Sequence, residues 1–215
     1  MQKFKAVIFD LDGTIADTLP LCIQAFKQSV EPLTGRILTD AEIIAEFGPS
    51  EEGTIMALAP DHYDKGVADY LHFYETLHSQ CSQPFEGIIP LLDMIKNKGV
   101  QIAMVTGKGR HSTTISLQQF NLVSYFELIE AGSPEGPRKA EGLQLIIDQW
   151  ATIEKHEILY VGDAPSDITA CRKAGIPIAA AAWAATAEPQ KLIDLHPDYL
   201  FYTIPDFAAW LQVNI

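Results

Sequence analysis

Three short runs of unbroken apolar residues constrain this chain more than any other feature. Ala6-Val7-Ile8-Phe9 stops on Asp10, Gln101–Val105 stops on Thr106, and Glu157–Val161 stops on Gly162-Asp163. Continuous apolar runs of this length, separated by helical segments, are the pattern of parallel strands buried on both faces. Leu128–Ala131 and Ile176–Ala180 are two further strand candidates, and Asp198–Phe201 reads as an edge strand.

Helical periodicity fills the spaces between these runs. Ile88–Lys98 carries Ile88, Leu91, Leu92 and Ile95 on one face and stops at Gly99. Ser112–Phe120, Ala140–Trp150 and Asp167–Ala174 follow successive strand candidates. This alternation predicts an α/β fold, a doubly wound, Rossmann-like parallel sheet. Residues 15–85 interrupt it. Leu19–Val30, Thr39–Glu46, Glu51–Leu58 and Asp64–Leu77 all read as helices, with Thr39 or Asp40 as a cap for the second. A simple crossover needs far fewer than the roughly 70 residues involved. The expectation is a small helical cap domain, 15–85, inserted after the first strand, with 1–14 and 86–215 forming the core.

The suggestive polar residues stand directly after strands. In an open parallel sheet the carboxyl ends of the strands meet at the ligand crevice. Asp10, Asp12, Thr106, Gly107, Asp163 and Asp167 are therefore expected to converge. Taken singly, Asp163 or Asp167 could equally cap the following helix; taken together, the strand-end placement points to a site. In Asp10-Leu11-Asp12-Gly13, alternate side chains face one crevice and Gly13 permits a tight turn. Crowded carboxylates repel one another unless a cation neutralises them, and a hard oxygen-ligated ion such as Mg²⁺ suits that role.

The whole-chain charge fits this reading. The net charge is −13 over 215 residues, which disfavours nucleic acid and anionic membranes as partners. A bound cation would invert the field locally. Cys22, Cys81 and Cys171 show no paired spacing, so neither a disulfide framework nor a zinc site is expected. The first residues lack the pattern of a signal peptide and the apolar stretch Ala179–Ala187 is too short to span a bilayer, so the expected location is the cytoplasm.

Three segments resemble the motifs of the haloacid dehalogenase-like phosphohydrolases, in that family's order. VIFDLDGTIADT at 7–18 resembles the first motif, within the branch that includes phosphoglycolate phosphatase and β-phosphoglucomutase. MVTG at 104–107 is similar to the second, and VGDAPSD at 161–167 to the last. The resemblance implies a Mg²⁺-dependent phosphatase acting on a small phosphorylated metabolite, as a monomer or homodimer. It casts Asp10 as nucleophile and Asp12 as general acid and base. It assigns Mg²⁺ to the Asp10 side chain, the Asp12 backbone carbonyl and Asp163, with Asp167 in support. Thr106 and the Gly107 amide would bind phosphoryl oxygens. The family's usual lysine falls near Pro137 when SPEGPRKAEGL at 133–143 is aligned, which leaves Lys139 as the best substitute and Arg138 as the second. Lys108, beside the second motif, is a further candidate for substrate. The motif residues do not separate a phosphatase from a sugar phosphomutase. A non-catalytic phospho-receiver, which also joins an acidic pocket with Mg²⁺, Thr and Lys, is the alternative from another class.

Overall fold

The computed structural model describes residues 3–215. β1 (Ala6–Phe9) is followed by four helices, α1 (Leu19–Thr34), α2 (Asp40–Ala45), α3 (Glu51–Leu58) and α4 (Tyr63–Leu77). The alternating part then runs α5 (Ile88–Asn97), β2 (Gln101–Val105), α6 (Arg110–Gln119), β3 (Leu128–Glu130), α7 (Lys139–Gln149) and β4 (Ile158–Gly162). It closes with α8 (Pro165–Ala174), β5 (Ile178–Ala181), α9 (Pro189–Asp194), β6 (Tyr199–Phe201) and α10 (Ile204–Gln212). The six strands form one sheet in the order β3-β2-β1-β4-β5-β6, and every pairing is parallel. This is the doubly wound arrangement that the apolar runs predict.

β1 is apolar throughout because it is covered from both sides. Val7 and Phe9 face one layer, built with Met104, Leu159, Leu92 of α5 and Phe207 of α10. Ala6 and Ile8 face the other, with Val105, Tyr160, Leu143 of α7 and Ile168 of α8. The two-residue alternation of a strand sends neighbours to opposite faces. In register, Ile8 stands between Ala103 of β2 and Tyr160 of β4, so it sits at the centre of the sheet.

The helices between β1 and β2 have an apolar cluster of their own, with Phe26 and Val30 of α1, Ile55 of α3 and Tyr70 and Tyr74 of α4 at its centre. Phe26 and Tyr70 pack with ring centres 4.4 Å apart. α2 is too short to hold by propensity and is fixed at its start by a reciprocal cap. The Thr39 hydroxyl accepts the Glu42 N–H at 3.2 Å, while the Glu42 carboxylate accepts the Thr39 N–H at 2.8 Å.

The boundaries differ from expectation in small ways. α6 begins at Arg110, two residues before Ser112, and β5 begins at Ile178 because the Ile176-Pro177 pair is used for the turn out of α8. α9 and α10 were not expected. α9 has only six residues, and α10 is announced by Thr203, whose hydroxyl accepts the Asp206 N–H.

Truncation of Ile8 tests the central position of β1. Ile8→Ala removes a side chain sealed between two layers and should cost about 2–5 kcal/mol, read as a lower urea midpoint with an unchanged slope. A cost under half a kcal/mol would show that the sheet centre lies elsewhere.

Candidate active site

β2, β1 and β4 are neighbours in the sheet, and the chain turns away from it at Thr106, Asp10 and Asp163. The sheet order reverses direction about β1, which opens the crevice there. Asp10 is buried, and the Leu11 N–H donates to its Oδ1 at 2.7 Å. The turn that follows needs Gly13, whose φ is +71°. A Cβ at this position would overlap the Asp163 carboxylate, so Asp163 rests directly against the Gly13 backbone. The Thr14 hydroxyl donates to Asp163 Oδ1 at 3.2 Å, and the Trp183 indole N–H donates to the Thr14 carbonyl at 3.1 Å, bracing the turn from β5's side.

Lys139, the first residue of α7, joins this group. Its ammonium donates to Asp10 Oδ2 at 2.5 Å and to Asp167 Oδ1 at 2.6 Å. Asp167 is fully buried in the first turn of α8. It accepts the Ala164 N–H at 2.9 Å, and the Tyr160 hydroxyl lies 3.0 Å from its Oδ1. Asp10, Asp163 and Asp167 each bring an oxygen within 4.8 Å of the others.

Burial, with the Asp167 charge added, pushes the Asp10 carboxyl up to about 6 against the downward pull of Lys139. Burial and the charges of Asp10 and Asp167 likewise raise Asp163 well above the carboxylate range. Burial acts to lower the Lys139 ammonium, yet the two carboxylates beside it outweigh that and hold it above its ordinary value. One lysine against three crowded carboxylates leaves surplus negative charge. A set of hard oxygen donors with such a surplus fits a small divalent cation.

Asp12 takes a different place. Its carboxylate accepts the Thr18 hydroxyl and lies 3.4 Å from the Lys108 ammonium, outside the three-carboxylate group. Thr106 and Gly107 line the same cavity as Asp10. Their turn is tight: the Lys108 N–H donates to Thr106 Oγ1 at 3.2 Å, and the Gly132 N–H donates to the Lys108 carbonyl at 2.7 Å. Lys108 is buried, with its ammonium 3.0 Å from Cys22 Sγ and 4.4 Å from the centre of the Tyr74 ring. Arg138 turns elsewhere. It bonds the Glu130 carboxylate at 3.3 Å and the Ala131 carbonyl at 3.1 Å, and it does not line the cavity. The structure therefore brings Lys139 to Asp10 and leaves Arg138 outside.

The cavity itself measures about 290 Å³ and is lined on one side by the helical layer. That layer contributes groups the sequence did not single out as site residues: Cys22, Phe26, Phe47 and Tyr70. Glu51, which reads as an ordinary helix-start charge, is buried. Its carboxylate accepts the Gly109 N–H at 2.7 Å and the Ser112 hydroxyl at 2.5 Å. No local signal reveals this, because both partners lie more than fifty residues away.

The comparisons with known proteins agree with this geometry. The family described as haloacid dehalogenase-like hydrolase matches residues 7–181. The chain belongs to that family. It is 31% identical to a protein of Caldanaerobacter subterraneus subsp. tengcongensis that carries the name pyrophosphatase PpaX, over 92% of this chain and 90% of that one. It is 29% identical to the pyrophosphatase PpaX of Bacillus pumilus, over 97% and 96%. Among solved structures, a haloacid dehalogenase-like hydrolase from Streptococcus pneumoniae superposes with a TM-score of 0.76 at 25% identity, covering 99% of this chain and all of that one. The chain is thus a phosphatase of the haloacid dehalogenase-like type. Among the described residues, no helix is long and apolar enough to cross a membrane.

Gly13 supplies a test of the packing between the two aspartate turns. Gly13→Ala should displace Asp163 and lower phosphatase turnover about a hundredfold, since misplacing a reacting group by about 1 Å costs that much. Turnover within twofold of the wild type would show that Asp163 does not depend on this contact.

Proposed function

We propose that the chain hydrolyses small phosphate monoesters with Mg²⁺ through a phosphorylated Asp10. The observation that carries this reading is the fixed, buried Asp10 carboxylate, held by the Leu11 amide and Lys139 at the mouth of an acidic strand-end pocket. An Asp10 oxygen attacks phosphorus, and the bond from phosphorus to the ester oxygen breaks. Asp12 gives its proton to the leaving oxygen. It then takes a proton from the water that attacks the phosphorus of the acyl phosphate, which frees inorganic phosphate and restores Asp10. Asp12 suits this exchange because its side chain stands clear of the three-carboxylate group and keeps 31% exposure.

The Thr106 hydroxyl and the Gly107 amide receive the phosphoryl oxygens. Lys139 orients Asp10 and offsets its charge as the phosphoryl group arrives. The carboxylates of Asp10 and Asp163, with Asp167 behind them, and the Asp12 backbone carbonyl would hold Mg²⁺, which when bound would neutralise charge at the phosphoryl group. Inorganic pyrophosphate is a second reading, favoured by relatives that carry that substrate in their names. The chemistry at Asp10 is unchanged in that case, with phosphate leaving in place of an alcohol.

Asp10→Asn should abolish Mg²⁺-dependent release of phosphate from p-nitrophenyl phosphate; retained turnover would remove Asp10 from the mechanism. Asp12→Ala should lower kcat by about 10²–10⁴ while calorimetry still shows Mg²⁺ binding. A loss of Mg²⁺ affinity as deep as that of Asp163→Ala would contradict the separate roles given to the two residues.

A further inference from the structure

The leaving-group half of the cavity is built from different chemistry than the phosphoryl half. Its walls are Leu19, Phe26, Phe47, Pro49 and Tyr70, all from the helical layer or its connections. One charged side chain of that layer enters it: the carboxylate of Glu51. Glu51 does not swing there freely. The Gly109 amide and the Ser112 hydroxyl, both at the start of α6, fix its two oxygens. Lys108 is the single cation on this side. Its ammonium is already committed to the Asp12 carboxylate at 3.4 Å, the Cys22 sulfur at 3.0 Å and the face of Tyr74.

The charges that line the cavity are the carboxylates of Asp10, Asp12, Glu51 and Asp163 and the ammonium groups of Lys108 and Lys139. The phosphoryl group of a monoester would occupy the end where Lys139 and the acidic group able to hold a cation stand. A second anionic group on the leaving side would meet the buried Glu51 carboxylate and aromatic rings, and would have to compete with Asp12 and Glu51 for the Lys108 ammonium. Like charges juxtaposed in a desolvated site are strongly disfavoured, whereas an uncharged apolar body gains by burial against those rings.

We infer that Glu51 and the aromatic wall select phosphate monoesters whose leaving group is uncharged and apolar, and reject substrates with a second anionic group. The inference rests on the Asp10 chemistry proposed above and narrows its substrate class. It runs against the substrate named for the pyrophosphatase relatives, whose identity to this chain is 31% or less among those compared.

The test compares kcat/KM for benzyl phosphate, phosphoglycolate and inorganic pyrophosphate, with Mg²⁺ present, in the wild type, Glu51→Gln, Phe47→Ala and Asp10→Asn. Benzyl phosphate should exceed both anionic substrates by about tenfold or more, although phosphate is a far better leaving group than benzyl alcohol. Glu51→Gln should raise the ratio of pyrophosphate to benzyl phosphate about tenfold; the amide keeps the acceptor for Gly109 and removes the charge. Phe47 is 39% exposed, so Phe47→Ala should fold normally, and it should lower kcat/KM for benzyl phosphate several-fold more than for pyrophosphate. Equal or faster turnover of pyrophosphate or phosphoglycolate by the wild type overturns the inference, as does a Glu51→Gln ratio that stays fixed. Asp10→Asn separates the two levels. If pyrophosphate is preferred and this variant is inactive, the selectivity falls and the Asp10 chemistry stands. If benzyl phosphate hydrolysis survives in Asp10→Asn, the chemistry itself falls.

Discussion

The bridge from Lys139 to Asp10 and Asp167 is the interaction on which the site depends. Three carboxylates are drawn together because β1 and β4 are neighbours and both end in acid. Burial first, and their mutual repulsion after it, raise Asp10 and Asp163 above the ordinary carboxylate range. Lys139 offsets part of that charge from the side of α7, and its own burial is tolerable only because two acids surround it. Asp167 then serves the lysine more than the open crevice, since the Ala164 amide and the Tyr160 hydroxyl occupy its other contacts. The three carboxylates outnumber the one lysine, and that surplus is what suits the crevice to a cation.

The surroundings of Asp10 and Asp12 match the division of labour proposed for them. The residues are two apart on one turn, yet their electrostatic surroundings differ. Asp10 belongs to the buried cluster with Lys139, whereas Asp12 faces Thr18 and Lys108 at the edge of the helical layer. A nucleophile needs to be fixed beside the phosphorus. A proton donor needs a separate environment in which it can change charge without disturbing the cation. Asp10 ends the strand inside the cluster, and Asp12 lies in the turn that starts at the Leu11 carbonyl.

Much of this was legible before the structure because it is encoded locally. An unbroken apolar run ending on an acid specifies a buried strand and places the acid at its carboxyl end. Asp10, Thr106 and Asp163 could therefore be gathered from pattern alone. Lys139 was harder, because the segment before α7 departs from the family's lysine spacing and Arg138 stands one residue away. The choice is made by geometry: helix α7 starts at Lys139 and aims its side chain down the crevice, whereas Arg138 precedes the helix and is captured by Glu130 and the Ala131 carbonyl. Glu51 was legible only as one of two readings, a specificity residue of the cap or a solvated helix-start charge. Its sequence context is that of a helix start, and only the docking of α3 against the first turn of α6 buries it.

The contrast between Lys139 and Glu51 shows where variation in such a chain has most effect. The phosphoryl end is specified by strand ends and the first turns of core helices, whose positions are fixed by a sheet buried on both faces. Changing a residue there changes the chemistry itself. The leaving-group end is formed by residues of α1, α3, α4 and the α2–α3 connection, which rest on their own apolar cluster and meet the core through side-chain contacts such as Glu51 to Ser112 and Tyr74 to Ser116. A substitution at Phe47 or Glu51 can alter the shape or charge of that wall without moving Asp10, Asp163 or Lys139. A chain of this family can therefore keep the reaction of its relatives while diverging from them in substrate. At identities near 30%, shared motifs at the strand ends carry information about the reaction. The substrate has to be read from the helical wall of each chain separately.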